Sequence, residues 1–216
     1  MIPMSRQQRI GKLVLLIMAG CAAMTVHAKA PTSELKVIGS IATPQCNVMV
    51  GNGGVFDIGA YAPDILSPTR DVALSPVTQR LQVACDAMTH LTFRAVDNEA
   101  GSESTAGDNH FGLSYNGSNK IGYYTLDLTH PTVDGKTSVV FSTDNPLFFS
   151  AGVFSYVYKS GYTMGWAVGM DKLATGKDFQ ADLTVRPSLA PAPVVGDVTH
   201  TVPLRGSITL DFHFAI

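Results

Sequence analysis

The final segment of the chain constrains the possible folds more than any other feature of the sequence. In residues 206–216, apolar side chains occupy alternate positions, namely Ile208, Leu210, Phe212, Phe214 and Ile216. A period of two predicts a β-strand with one apolar face. A strand needs hydrogen-bonded neighbours, and an uncovered apolar edge promotes aggregation. We therefore expect this segment either to be enclosed by its own fold or to pair with a strand of another chain.

The N-terminal segment predicts export from the cytoplasm. It contains three basic residues, Arg6, Arg9 and Lys12. The apolar run at 13–19 that follows is too short to span a membrane. The small residues at 26–28 suit cleavage before Lys29. The sequence thus predicts a signal peptide at 1–28 and a single domain at 29–216.

The three cysteines fit an oxidising compartment. Cys21 lies in the signal segment, which leaves Cys46 and Cys85 in the mature chain. One disulfide between them is the simplest expectation outside the cytoplasm, and two buried free thiols are the alternative. Residues 18–21 also resemble a lipoprotein cleavage box, with methionine in place of the usual leucine. Lipidation at Cys21, which would tether the protein to a membrane, remains open.

The charge argues against one class of partner. All 17 acidic residues follow position 28, whereas three of the 15 basic residues precede it. The mature chain therefore has a net charge of about −5. Nucleic-acid binding requires a basic face, so nucleic acid is excluded as an expected partner.

The mature sequence predicts an all-β fold. Its 20 glycines and 12 prolines interrupt the chain often, and no long stretch has helical periodicity. The predicted strands are 34–42, 55–59, 78–85, 91–96, 110–115, 122–128, 138–141, 153–158, 163–169, 179–186 and 206–216. This number of short strands, separated by turn signals, is typical of a β-sandwich.

The sequence contains no recognisable catalytic or ligand-binding motif. The histidines of the mature chain are far apart, and neither a nucleophile elbow nor a phosphate-binding loop is present. We therefore predict that the protein is not an enzyme and that it has no cofactor-binding, catalytic or metal site. Tyr156, Tyr158 and Trp166 lie in a stretch rich in aromatic residues. These side chains are expected in the core or a subunit contact, or on a surface that stacks against glycans.

The order of several motifs resembles that of fimbrial subunits (pilins) of the chaperone–usher pathway. A Gly39-Ser40-Ile41 strand precedes Cys46, and Phe56-Asp57-Ile58-Gly59 follows it. The second cysteine, Cys85, comes about forty residues later, and residues 179–183 and 206–214 resemble the last two pilin strands. Residues 33–39, 85–98 and 111–124 are most similar to a pilin-like subfamily formerly of unknown function.

The resemblance implies an incomplete immunoglobulin-like sandwich with extra strands. Pilins lack the seventh strand, and a periplasmic chaperone and then a neighbouring subunit fill the resulting groove with a donated strand. The partners implied are a chaperone, an outer-membrane usher and adjacent subunits, and the implied location is first the periplasm and then the fimbrium at the cell surface. The groove residues implied are Ile208, Leu210, Phe212, Phe214 and Ile216, with Val37 and Ile41 from the first strand.

Two features of the sequence depart from the pilin pattern. Ala215 stands where pilins usually have an aromatic residue, and residues 29–33 form a short, poorly alternating extension before the first predicted strand. The expected function is that of a structural or minor fimbrial subunit, which takes part in fibre assembly and cell adhesion. The alternative is a self-complete periplasmic or surface domain, with glycans as one class of ligand, that does not polymerise.

Overall fold

The structure is a computed structural model that describes residues 36, 38, 43–145, 148–159 and 161–215. Residues Ala42–Ile216 form a compact unit by themselves. The predicted signal peptide, the predicted strand at 34–42 and the predicted groove residues Val37, Ile41 and Ile216 lie outside the described residues.

The all-β prediction is confirmed. The strands are β1 Cys46–Val50, β2 Val72–Ala73, β3 Val77–Asp97, β4 Phe111–Gly112, β5 Tyr115–Asn116, β6 Asn119–Lys120, β7 Gly122–Val133, β8 Lys136–Thr137, β9 Val139–Thr143, β10 Ala151–Gly152, β11 Phe154–Tyr156, β12 Thr163–Gly169, β13 Lys172–Leu173, β14 Gly176–Leu189 and β15 Ile208–Ala215. Helical structure in the described residues is limited to short 3-10 segments at Gly51–Gly54 and Pro63–Ile65 and to one α-turn, α1, at Ala192–Val195.

Strand β3 belongs to both layers of the sandwich. Its first half pairs with β1 and β14, and the first sheet continues from β14 to β7 and β11. Its second half pairs with β15 and β12, and the second sheet continues from β12 to β9 and β10. Residues 86–88, where the strand passes from one sheet to the other, are exposed. All these pairs are antiparallel, as in most sandwiches.

Trp166 of β12 fills the centre of the core, between the two sheets. Its side chain is only 1% exposed, and its ring lies 6.1 Å from that of Phe93 and 5.5 Å from that of Phe179. The indole Nε1–H donates a hydrogen bond of 2.9 Å to the carbonyl oxygen of Gln180. Of the two positions that the sequence leaves open for Trp166, the structure therefore has the core and not the surface, because its strand parity directs the ring inward, where its polar atom is satisfied.

Three of the differences between the observed and the predicted strands bear on the arrangement of the sheets. The predicted strands 78–85 and 91–96 are parts of one continuous strand of 21 residues, β3. Strand β1 was not predicted, although it carries Cys46. Residues 55–59 were predicted as a strand but pair with none in the described chain. Their backbone is extended at Val55.

The predicted disulfide is confirmed. Cys46 and Cys85 stand directly opposite each other on β1 and β3, and their sulfur atoms are bonded. The bond spans 39 positions of the sequence. In the chain-entropy model, closing a loop of this length stabilises the folded state by roughly 3–4 kcal/mol.

Removing the disulfide tests how firmly it holds β1 in place. We expect the double variant Cys46→Ala/Cys85→Ala to lower the free energy of unfolding by about 3 kcal/mol. Urea unfolding of the oxidised parent protein and of the variant measures the difference, and the reduced parent is the matched control. A loss below about 1 kcal/mol would show that the β1–β3 ladder holds the N-terminal edge without the covalent bond.

Candidate functional site

The first and last strands of the described sandwich each have a free edge. Strand β1 pairs only with the first half of β3, and β15 pairs only with its second half. The remaining edge of each of these strands carries backbone N–H and C=O groups that no other described strand pairs. Unpaired edges of this kind accept strands from other polypeptides.

Val48 of β1 is a core-facing residue that stays exposed in the described part of the chain. It stands opposite Val83 on the face of the sheet that also carries Leu81, and both of those side chains are completely buried. Facing side chains on paired strands lie on the same side of a sheet. Val48 therefore points toward the core, yet it is 43% exposed.

The inward side chains of β15 have the same property. Ile208, Leu210, Phe212 and Phe214 share the parity predicted from the sequence, and all four are only partly buried. The ring of Phe212 lies 5.4 Å from that of Phe93, so this face does contact the core. The alternation is confirmed, but the described chain covers the apolar face of the last strand incompletely.

Residues 55–58 form the opposite wall. Their side chains alternate between exposed and half-buried positions, and Phe56 and Ile58 pack against the core. The segment ends where the N–H of Gly59 donates a 2.9 Å hydrogen bond to the Asp57 carboxylate. The segment therefore has the side-chain pattern of a strand but lacks a strand partner in the described chain.

A groove of about 690 Å³ lies between these two walls. Val48, Val50 and residues 54–56 and 58 contribute from one side, and residues 204–208, Leu210 and Phe212 contribute from the other. The remaining lining consists of Glu99, Leu113, Tyr124, Leu126, Leu183, Val185 and Pro187. The groove therefore combines an apolar lining with walls that are extended segments, and these are the features that an additional β-strand requires.

Tyr124 and Gly206 fit together at the centre of the groove. A Cβ atom at Gly206 would come within 2.3 Å of Tyr124 Cε1, so the absence of a side chain makes room for the ring. Burial raises the pKa of the Tyr124 hydroxyl above its ordinary value, and the carboxylates of Asp97 and Glu99 raise it further. The Tyr124 hydroxyl consequently remains neutral at physiological pH.

A second cavity of about 710 Å³ lies next to the groove. It is lined by residues 59–63 with Ile65 and Leu66, by Ile121, Leu189 and Val195, and by residues 198–204. Leu204 lines both cavities. The apolar depression therefore extends beyond the N-terminal end of β15.

The other predicted aromatic residues lie outside the groove. Tyr156 is an exposed residue of β11, and Tyr158 is half-buried. The two rings are 6.3 Å apart and nearly perpendicular, and Tyr158 stacks on Tyr162 at 4.6 Å. The structure therefore separates these two tyrosines from Trp166, which belongs to the core.

Neither a metal cluster nor a membrane-spanning helix occurs in the described part of the chain. No three histidine, cysteine, aspartate or glutamate side chains within it are arranged to hold a metal ion. None of its helices has the length and apolarity needed to cross a bilayer.

Residues 35–129 match a family described as "Protein of unknown function (DUF1120)". The matched region contains β1, the disulfide and β3, and it ends within β7, before β15 begins. No curated protein matches the chain.

Sequence reasoning identified only one wall of the groove by its role. Ile208, Leu210 and Phe212 line the groove, whereas Phe214 lies on the same face beyond the lining. Val48 was missed because β1 has only five residues and its burial pattern does not alternate. The signal that could have revealed it is Cys46, because a disulfide to β3 places the following residues beside that strand.

The close approach of Gly206 and Tyr124 can be tested with a double-mutant cycle. We expect Gly206→Ala to lower the free energy of unfolding by about 1–3 kcal/mol, because the added methyl group overlaps the ring. In a Tyr124→Ala background the same substitution should be nearly neutral. Urea unfolding of the four proteins measures both effects. Equal costs in the two backgrounds would contradict the proposed contact.

Proposed function

We propose that this protein is a structural or minor subunit of a chaperone–usher fimbria and that its sandwich is completed by a strand from another chain. In this proposal the protein is exported to the periplasm, where a chaperone lends the strand. The outer-membrane usher then exchanges that strand for one from a neighbouring subunit, and the subunit becomes part of a fibre at the cell surface.

The observation that supports the proposal most directly is the exposure of Val48, a residue of the core-facing side of β1. A folded domain gains stability by burying such side chains, at roughly 1.5–3 kcal/mol for a large apolar side chain that becomes fully covered. Several half-buried apolar residues on both walls would gain further burial from one inserted strand. The free edges of β1 and β15 would supply its backbone hydrogen bonds.

The order of sequence motifs supports the same proposal. The resemblance to pilins includes both cysteines and the last strand, and the cysteines form the expected bond. The matched family has no described function, so it adds no independent support for a particular partner.

Co-expression with a periplasmic fimbrial chaperone tests the proposed function. We expect a soluble one-to-one complex and a clear increase in the yield of the mature chain. A stable monomer that gains nothing from the chaperone would overturn the proposal. If hydrogen exchange then showed the groove protected by residues 29–42 of the same chain, the protein would be a self-complete domain. The mass of the mature N-terminus separately distinguishes cleavage before Lys29 from lipidation at Cys21.

Two neighbouring residues of β1 provide a matched pair of variants. Val48 faces the groove and Met49 faces away from it, and their exposed fractions are almost equal, 43% and 46%. We expect Val48→Ser to weaken binding of the donated strand about five- to tenfold, because the buried apolar contact is lost. Met49→Ser should leave binding unchanged. Competition between the two variants and the parent protein for a limiting amount of chaperone measures the ratio, and equal losses would contradict the assigned groove.

A further inference from the structure

A separate, smaller cavity of about 320 Å³ lies on the outer face of the second sheet. Leu91, Phe93 and Ala95 of β3 point into the core, so Thr92 and Arg94 point to the opposite side. Thr92 and Arg94 both line the cavity, together with Thr143 of β9 and Thr163 of β12. These two threonines are directly paired across the sheet.

The floor of this outer-face cavity is aromatic. Phe141 is buried, yet it is not part of the hydrophobic core between the sheets. Gly165 makes room for it, because a Cβ atom there would approach Phe141 Cε1 to 3.1 Å and the Leu91 carbonyl oxygen to 2.6 Å. Phe149 stacks on Phe141 with ring centroids 4.1 Å apart and planes 24° apart. Its backbone N–H donates a 2.9 Å hydrogen bond to the Asp171 carboxylate, which anchors the backbone beneath the stacked ring.

Two opposite charges line the same cavity without forming an ion pair. Arg94 donates one long hydrogen bond, 3.4 Å from Nε to Thr163 Oγ1, and its side chain takes part in no salt bridge with another described residue. The Asp144 carboxylate likewise has no cationic partner within the described chain. A charged hydrogen-bond donor and a charged hydrogen-bond acceptor are therefore both available beside an aromatic surface.

We propose that this cavity binds one neutral carbohydrate ring. Such a ring has an apolar face of C–H groups, which stacks on aromatic side chains, and a rim of hydroxyl groups that both donate and accept hydrogen bonds. Asp144 accepts from hydroxyls, Arg94 donates to them, and Phe149 supplies the stacking surface. The volume lies at the lower end of the range of about 300–1,000 Å³ for ligand pockets, which suits a single ring rather than a long chain.

The chemistry of the lining favours a neutral ring over two other ligands. An anionic ligand would pair with Arg94 but would be repelled by Asp144, since both line the same small cavity. A purely apolar ligand would cover the two charged groups without replacing their hydrogen bonds to water. The inference does not depend on the proposed assembly, because the cavity and the groove share no lining residue.

The experiment is a titration of the full mature chain, bound to its chaperone if the chaperone is needed for solubility, followed by two-dimensional amide NMR. The probes are the methyl glycosides of glucose, galactose, mannose and N-acetylglucosamine, with methyl glucuronide and acetate as acidic probes. We expect at least one neutral glycoside to shift the amide signals of Arg94, Asp144, Phe149 and Thr163.

Four variants and two controls separate this proposal from its rivals. Asp144→Asn and Arg94→Gln should each weaken binding about tenfold or more, because a charged hydrogen bond is lost. Phe149→Leu should weaken binding through loss of stacking, while Thr163→Val should have a smaller effect. Arg70→Gln and Asp71→Asn alter exposed charges that line none of the three cavities and should change nothing.

Three results would overturn the proposal. The first is that no neutral glycoside shifts the cavity signals. The second is that Asp144→Asn leaves affinity for the neutral glycosides unchanged. The third is that only the acidic probes bind, with unchanged or higher affinity in Asp144→Asn, which would identify a carboxylate site at Arg94. None of these results bears on strand donation at the groove, which the chaperone experiment tests separately.

Discussion

The antiparallel ladders of β3 determine the arrangement of the other elements. This strand pairs with β1 and β14 in one sheet and with β15 and β12 in the other. The first and last strands of the described sandwich consequently depend on the same central strand, and each keeps one edge unpaired. The groove follows from this topology, because β3 holds β1 and β15 in place while no described strand lies between them.

The sequence predicts those parts of the fold that depend on a periodic side-chain pattern within a single strand. Alternation alone indicated the all-β class, the limits of β12 and the inward parity of β15, since each depends on neighbouring residues of one strand. It divided β3 into two strands because residues 86–88 interrupt the pattern where the chain passes between sheets. It also took 55–59 for a paired strand, since a pattern of side chains records which face is buried but not whether an edge has a partner.

The candidate sites differ in how far they could be predicted. The C-terminal wall of the groove could be predicted because Ile208, Leu210 and Phe212 occupy alternate positions of one periodic segment. The outer-face cavity could not be predicted, because its lining residues Arg94, Asp144, Phe149 and Thr163 come from separate parts of the chain. For Trp166, the aromatic composition of its stretch left both a core and a surface position open. Only the register of β12 reveals that this ring faces Phe93 and Phe179.

The disulfide limits how far β1 can move away from β3 and toward β15. Strand β1 would have to separate from β3 to approach β15, but Cys46 and Cys85 join β1 to β3 at a directly opposed pair. Strand β15 is held in the same way by eight consecutive pairs with β3, and its start is fixed by hydrogen bonds from the Asn98 side chain to Ser207 and Thr209. Strands β1 and β15 are therefore both fixed to β3, and Val48 stays exposed between them and the rest of the described chain. Under this constraint, the proposed donated strand would bury the remaining apolar surface without moving β1 or β15 away from β3.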